Sequence, residues 1–211
     1  MSRRTLWGIG SARAFRVHWA LQELGLDYQT KPVRTRTPAM ETPEFQLVSP
    51  RKKIPVFEDG GLKLFESCAI VSYLARTYGA GDKQLMPIDA AGQARCDEWS
   101  YFVATELDGT SLYVIRRHGD LSEIYGESSV AVDCAGEYFV RQVAVPEAEM
   151  ADGRPYLLGE QFTMADIFLT TCLTWGIRYE QPVPELLLAY RVRMIERSAY
   201  KSAFSICYPD L

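Results

Sequence analysis

A proline stands at the start of what otherwise reads as a β-strand, in Lys53-Ile54-Pro55-Val56-Phe57. Proline has no N–H to donate and is poorly tolerated inside a central strand. Cis bonds are essentially confined to X–Pro, and a proline at this position predicts a cis Ile54-Pro55 bond. In that form Val56 would offer its own N–H and C=O to an extended peptide ligand. Asp59-Gly60-Gly61 then reads as a hairpin turn, Leu62–Phe65 as a short strand, and Glu66-Ser67 as the opening of a helix. A carboxylate or α-amino group of a bound peptide would reach that helix start.

The first 79 residues alternate strand and helix patterns. Thr5–Trp7 reads as a strand ending in Gly8-Ile9-Gly10-Ser11, and a helix follows over 13–24, with Ala14, Val17, Leu21 and Leu24 on one face and Gly25 as its stop. Residues 28–34 read as a strand that Pro32 confines to an edge, and 41–47 as a short helix. Residues 54–58 and 62–65 pair as a hairpin. The helix over 67–78 turns Ala69, Ile70, Tyr73, Leu74 and Tyr78 inward. Residues 80–89, broken by Gly81, Asp82 and Pro87, read as a linker. From residue 90 onward only helical patterns occur, over about 90–117, 124–151, 163–177, 183–196 and 198–205. Thr163 and Asp166 form a capping-box pair, with Phe162 as the preceding apolar staple.

Three blocks of the chain resemble the cytosolic glutathione transferases. KKIPVFEDGGLKLFESCAIVSYLA resembles their glutathione-binding signature. LWGIGSARAFRVHWALQELGLDY resembles their first strand, catalytic loop and first helix, and LLGEQFTMADIFLTTCLTW their late capping-box segment. The resemblance implies an α/β N-terminal thioredoxin-like domain of order βαβαββα over 1–79, a linker over 80–89 and an all-α helical domain over 90–211. The segment between about 80 and 150 carries little of it.

By that resemblance Glu66 and Ser67 hold the γ-glutamyl end of glutathione, and Val56, entered through Ile54 and Pro55, pairs with its cysteinyl unit. Lys53, or else Lys52 or Arg51, meets the glycyl carboxylate. A basic run is also what an ordinary solvated face looks like. Ser11 has two readings. It is the N-cap of the first helix, or its hydroxyl donates to a thiolate at that helix N-terminus and lowers the thiol's pKa. Aligned on Arg16-Val17, the loop is similar to serine-type transferases of the zeta kind. Aligned on Arg13 in the theta manner, Ile9 would stand at the catalytic position, leaving the backbone N–H groups of Ser11-Ala12 or Arg13 to hold the sulfur. No tyrosine or cysteine lies in the loop. Arg16 reads as a structural ion-pair partner and His18 as a packed side chain. Trp99, Tyr101, Phe102 and Tyr113 are core or pocket-wall candidates.

Composition narrows the remaining choices. The formal charge of −4 at neutral pH divides into +5 over residues 1–79 and −9 over 80–211, which suits an anionic small ligand for the first part. A pI near 5.3 without aromatic–basic repeats disfavours nucleic acid. No apolar run approaches the length of a membrane span, and the first ten residues lack the apolar core of a secretory signal. Five scattered cysteines without CxxC spacing predict reduced thiols and a cytoplasmic location, and two histidines make a zinc site a poor expectation. The leading reading is a homodimeric enzyme that ionises the glutathione thiol, as co-substrate, and adds it to a small hydrophobic electrophile, without a metal. The rivals are a glutathione-dependent isomerase or ether-cleaving lyase, and a non-catalytic binding or scaffold protein on the same fold.

Overall fold

The computed structural model describes residues 4–211; the expected domain start at residues 1–3 lies outside them. The chain forms two compact units, one running to Met86 and including Ile195–Leu211, the other Pro87–Met194. This cut differs from the expected one, which gave everything after 89 to the helical domain. The physical reason is the aromatic surface of the last helix, described below.

The first unit is a thioredoxin-like βαβαββα layer. Its elements are β1 (Arg4–Trp7), α1 (Ala12–Glu23), β2 (Gln29–Lys31), α2 (Pro43–Val48), β3 (Val56–Asp59), β4 (Leu62–Phe65) and α3 (Ser67–Tyr78). The sheet order is β2-β1-β3-β4. β1 runs parallel to β2, with Leu6 opposite Thr30, and antiparallel to β3, with Leu6 opposite Phe57. Pro32 follows directly on β2, which is three residues long and lies at the sheet edge, where a missing donor costs nothing. Pro55 is outside the strand: β3 begins at Val56.

Helix α1 is covered on every side. The predicted face of Ala14, Val17, Leu21 and Leu24 is buried, and so are Arg16, His18, Trp19 and Ala20. The second cover comes from α10 (Ser198–Cys207). Phe15 meets the rings of Tyr200, Phe204 and Tyr208, and Trp19 meets Tyr200 edge-on at 4.9 Å. Arg197 grips the Glu23 carboxylate through Nε at 2.6 Å and Nη2 at 2.8 Å. Large aromatic surfaces of this kind bury most of what holds a small unit together. On α3, Ile70, Val71, Leu74 and Ala75 face inward, whereas Ala69, expected inward, is exposed. Tyr73 and Tyr78 both donate to the Asp59 carboxylate at the end of β3, tying α3 to the sheet.

The second unit is helical among the described residues: α4 (Ala90–Phe102), a wider-wound π segment (Val103–Leu112), α5 (Tyr113–His118), α6 (Ser122–Tyr125), α7 (Ser129–Glu149), α8 (Met164–Arg178) and most of α9 (Glu185–Ile195). The helix expected over 90–117 keeps its length but changes winding in the middle. There the Ser111 hydroxyl donates to the Glu106 carbonyl at 2.6 Å, and the Tyr113 N–H reaches back five residues to Asp108. The helix expected over 124–151 is broken at Gly126-Glu127, and α7 starts afresh on the Ser128 cap.

Asp166 is the polar centre of this unit and is fully buried. Its Oδ1 accepts from the Leu157 N–H at 2.8 Å and the Tyr190 hydroxyl at 2.9 Å. Its Oδ2 accepts from the Thr163 N–H at 2.8 Å and the Thr163 hydroxyl at 3.1 Å. The capping box is therefore a four-bond knot that joins α8, α9 and the 153–159 turn. Burial pushes the carboxyl pKa up, and the four donors oppose that shift.

Two stability predictions follow from these buried groups. Asp166→Ala leaves four buried donor groups without their acceptor and should cost about 3–5 kcal/mol in urea unfolding. Thr163→Ala should cost about 1 kcal/mol, the ordinary loss of an N-cap. In the first unit, His18 is fully buried; its Nε2 lies 3.0 Å from the Gly8 carbonyl and its Nδ1 2.9 Å from the Tyr28 hydroxyl. A carbonyl can only accept, so Nε2 carries the proton and Nδ1 accepts from Tyr28. Burial holds the ring neutral, with a pKa lowered to about 4. An unfolded histidine takes a proton near pH 6.5, so the folded state loses stability as pH falls from 6.5 toward 4. By pH 5 the loss is about 2 kcal/mol, which His18→Asn should abolish in urea titrations at pH 7 and 5.

Candidate functional site

The residues predicted to bind glutathione and to hold its sulfur all lie in the first unit, on segments that leave or enter the sheet at one end of the β1–β3 pair. Trp7, the last residue of β1, is opposite Val56, the first of β3. Lys53, Ile54 and Pro55 therefore lie beyond the end of β1, where β1 offers them no ladder partner. The Ile54-Pro55 bond is cis, as the sequence predicts. Gly8 then turns the chain away at φ +129°, and a Cβ there would fall 2.8 Å from Ile54 Cβ. Only glycine lets the β1 exit and the proline loop close on each other.

Beneath this junction Trp7, Val33, Met40, Phe45, Val48, Ile54 and Val56 form one apolar cluster. Each such side chain contributes about 1.5–3 kcal/mol when fully buried, so the site loops rest on a packed floor. The 49–53 turn is tied by Ser49, a residue that the sequence reading passed over. Its buried hydroxyl donates to the Lys53 carbonyl at 2.9 Å and accepts from the Lys53 N–H at 3.2 Å. The Ser49-Pro50 dipeptide, a turn signal, was the only sign of it.

Ser11 caps α1. Its hydroxyl oxygen accepts from the Ala14 N–H at 3.2 Å, and its backbone is extended at φ −142°, ψ 147°. Among the described residues the hydroxyl's own proton has no acceptor. The cap uses a lone pair and leaves the donor available, so the two readings of Ser11 are compatible. The loop before it is pinned by three backbone hydrogen bonds: Gly8 N–H to Lys31, Ile9 N–H to Val33 and Gly10 N–H to Cys207. The last acceptor lies some two hundred residues away, and nothing in the local sequence signals it.

Glu66 precedes α3 with φ +64° and ψ 116°, a backbone state sparsely populated by any residue except glycine. Such strain costs on the order of 1–3 kcal/mol and recurs at functional sites. It also directs the first N–H groups of α3, with the buried Ser67 hydroxyl beside them, toward the same end of the sheet.

The three basic candidates separate. Arg51 reaches Glu66 itself, Nη1 to Oε1 3.4 Å, and lies over the Phe65 ring. Lys52 pairs with Glu41 at 2.6 Å. Lys53 makes no ion pair among the described residues. Both pairs are solvent-exposed and worth little on their own. Arg16 is buried in α1, and His18 is packed, as the sequence suggests. In the helical unit Trp99 and Phe102 meet edge-to-face at 5.6 Å, and Tyr101 is 63 % exposed. Trp99, Tyr101, Phe102 and Tyr113 all stay out of the fully buried core.

Among the described residues no group of three or more His, Cys, Asp or Glu could hold a metal ion, and no helix is long and apolar enough to cross a membrane. The arrangement suits an extended anionic peptide: a strand end with open backbone, a helix N-terminus with a carboxylate beside it, and a hydroxyl donor at a second helix N-terminus.

Comparison with known proteins agrees with this arrangement. The family model described as glutathione S-transferase, N-terminal domain, matches residues 2–76, and that described as glutathione S-transferase, C-terminal domain, matches residues 131–180. A glutathione S-transferase from Hyoscyamus muticus is 31% identical over 160 residues, covering 74% of each chain. The glutathione S-transferase-like protein LUC7 of Fusarium sp is 30% identical over 201 residues, covering 92% of this chain and 89% of its own. Among solved structures, the theta class glutathione S-transferase of Xanthomonas axonopodis pv. citri, with glutathione bound, superimposes with a TM-score of 0.79 at 28% identity. That match covers 96% of this chain and 97% of the other. With one family model falling on each compact unit, and a curated transferase 31% identical across three quarters of both chains, the chain belongs to the glutathione S-transferase family.

Proposed function

We propose that this protein is a glutathione transferase that binds glutathione along the β3 entrance, ionises its thiol beside Ser11 and adds the sulfur to a small hydrophobic electrophile. The observation that carries the reading is the Ser11 hydroxyl: it is held by its cap bond to Ala14 and keeps its proton for a ligand.

In this reading the γ-glutamyl carboxylate meets the Ser67 hydroxyl and the α3 N–H groups, and the α-ammonium meets Glu66. The cysteinyl unit pairs with Val56, entered through Ile54 and Pro55, and the glycyl carboxylate meets Lys53. The sulfur comes to the α1 N-terminus. There the helix end and the hydroxyl both favour the thiolate over the thiol. A free thiol is mostly protonated at neutral pH; lowering its pKa by about two units needs roughly 2.7 kcal/mol, the scale of one charge-assisted hydrogen bond plus a helix end. The proton leaves to solvent and the thiolate's electron pair forms the new S–C bond. Any leaving group on that carbon departs with its own pair. Holding both reactants together supplies the rest of the rate.

Ser11→Gly tests the hydroxyl directly, because glycine at an N-cap costs only a few tenths of a kcal/mol. The variant should unfold almost as the wild type does. Its bound thiol should titrate one to two units higher by ultraviolet absorbance, and turnover at neutral pH should fall about tenfold to a hundredfold. An unshifted titration would move the role to the backbone N–H groups of Ser11-Ala12.

Glu66 gives a test in which stability and binding move apart. Glu66→Gly removes the ammonium partner and relieves the positive-φ strain. The variant should be at least as stable as the wild type in urea, yet its KM for glutathione should rise about tenfold or more. Loss of stability without loss of affinity would mark Glu66 as structural only.

A further inference from the structure

Arg34 lies next to the Ser11 loop without having any motif of its own. Its backbone follows Val33, whose carbonyl takes the Ile9 N–H, and the Thr37 hydroxyl fixes the Arg34 carbonyl at 2.8 Å. Its guanidinium extends over Gly10: a Cβ on that glycine, which sits at φ +70°, would fall 2.8 Å from Arg34 Nη1. Its other terminal nitrogen, Nη2, is ion-paired with Asp210, in the short segment that follows α10. That segment is anchored to the same loop, because the Cys207 carbonyl accepts the Gly10 N–H at 2.8 Å. One cation and one anion therefore lie beside the residue preceding Ser11, and the anion arrives from the far end of the chain.

We infer that Arg34 is a positioning residue for the sulfur end of the ligand, lending positive charge to the Ser11 loop, and that Asp210 tempers that charge. The inference rests on the proposed thiolate chemistry and names a regulator of it.

The other titratable groups around the loop leave this pair as the adjustable charge. From α10, the Cys207 thiol is buried, and burial pushes its pKa up to about 11 against the opposing pull of Arg34. From α1, His18 is neutral, while Arg13 and Arg16 are permanently charged. Tyr28, beside His18, is raised above its ordinary value by burial and stays neutral. Arg34 itself is partly exposed, so its reach is screened within a Debye length of roughly 8–10 Å. Gly10 is well inside that distance.

The pair gives a test by sign. Arg34→Gln and Asp210→Asn break the same ion pair. If the pair only staples the 208–211 segment, both variants must shift the bound thiol's titration the same way, or not at all. If Arg34 supplies charge that Asp210 partly cancels, Arg34→Gln raises the apparent pKa of enzyme-bound glutathione and Asp210→Asn lowers it. The expected shifts are about half a unit each way, with roughly threefold opposite changes in turnover below the pKa. Arg34→Lys should restore most of the wild-type value, since it keeps the charge.

The measurement is ultraviolet titration of glutathione bound to the full chain, with KM read alongside. A wild type that shows no bound thiolate overturns the proposed function and this inference with it. A wild type that ionises glutathione, with both variants moving together or neither moving, overturns this inference alone.

Discussion

Three consecutive backbone N–H groups, those of Gly8, Ile9 and Gly10, find their acceptors on two distant parts of the chain: Lys31 and Val33 at the end of β2, and Cys207 at the end of α10. A buried amide without a partner costs as much as a lost hydrogen bond, so this loop cannot settle until both segments are in place. Everything at the site depends on that condition. It places Ser11 at the mouth of α1, it brings Gly8 against Ile54, and it sets Arg34 beside Gly10. The ring cluster of Phe15, Trp19, Tyr200, Phe204 and Tyr208 provides the apolar burial that makes those polar bonds affordable.

The two compact units solve different problems. The helical unit concentrates its polar accounting in one carboxylate, Asp166, and satisfies it completely. The first unit keeps polar groups in reserve: an uncommitted hydroxyl proton on Ser11, an unpaired ammonium on Lys53 among the described residues, and a strained backbone at Glu66. Fully satisfied groups make a rigid body, whereas reserved ones wait for a ligand. Local rules broken at Glu66 are what a binding function would require, since real chains depart from ideal local structure mainly where they act.

Legibility followed sequence distance. The hairpin at Asp59-Gly60-Gly61, the edge position of β2 before Pro32 and the capping box at Thr163 are local matters of turn chemistry and missing donors, and the structure has each of them. Ser11, Val56, Glu66 and Ser67 could be nominated because strand–loop–helix junctions leave a readable pattern. Arg34, Ser49 and Cys207 could not. Their importance comes from which segment packs beside them, and no window of sequence contains both partners. The same holds for the middle of the first long helix of the second unit. Its apolar spacing reads equally as ordinary or wide winding, and side-chain bonds such as Ser111 to Glu106 go with the wide form. The expected boundary at residue 89 missed the return of Ile195–Leu211 because a helical pattern does not say which body it will join.

That return has a consequence for how the chain comes to be folded. The glutathione-binding signature lies within the first 79 residues, yet the unit that carries it is discontinuous in sequence. During synthesis those residues leave the ribosome well before α10, with α1 bare on its Phe15 and Trp19 side and the Gly10 amide without its acceptor. The helical unit, continuous from Pro87 to Met194, is complete before α10 appears. The two units are therefore completed out of order: the helical one can mature while the sheet and α1 wait for α10.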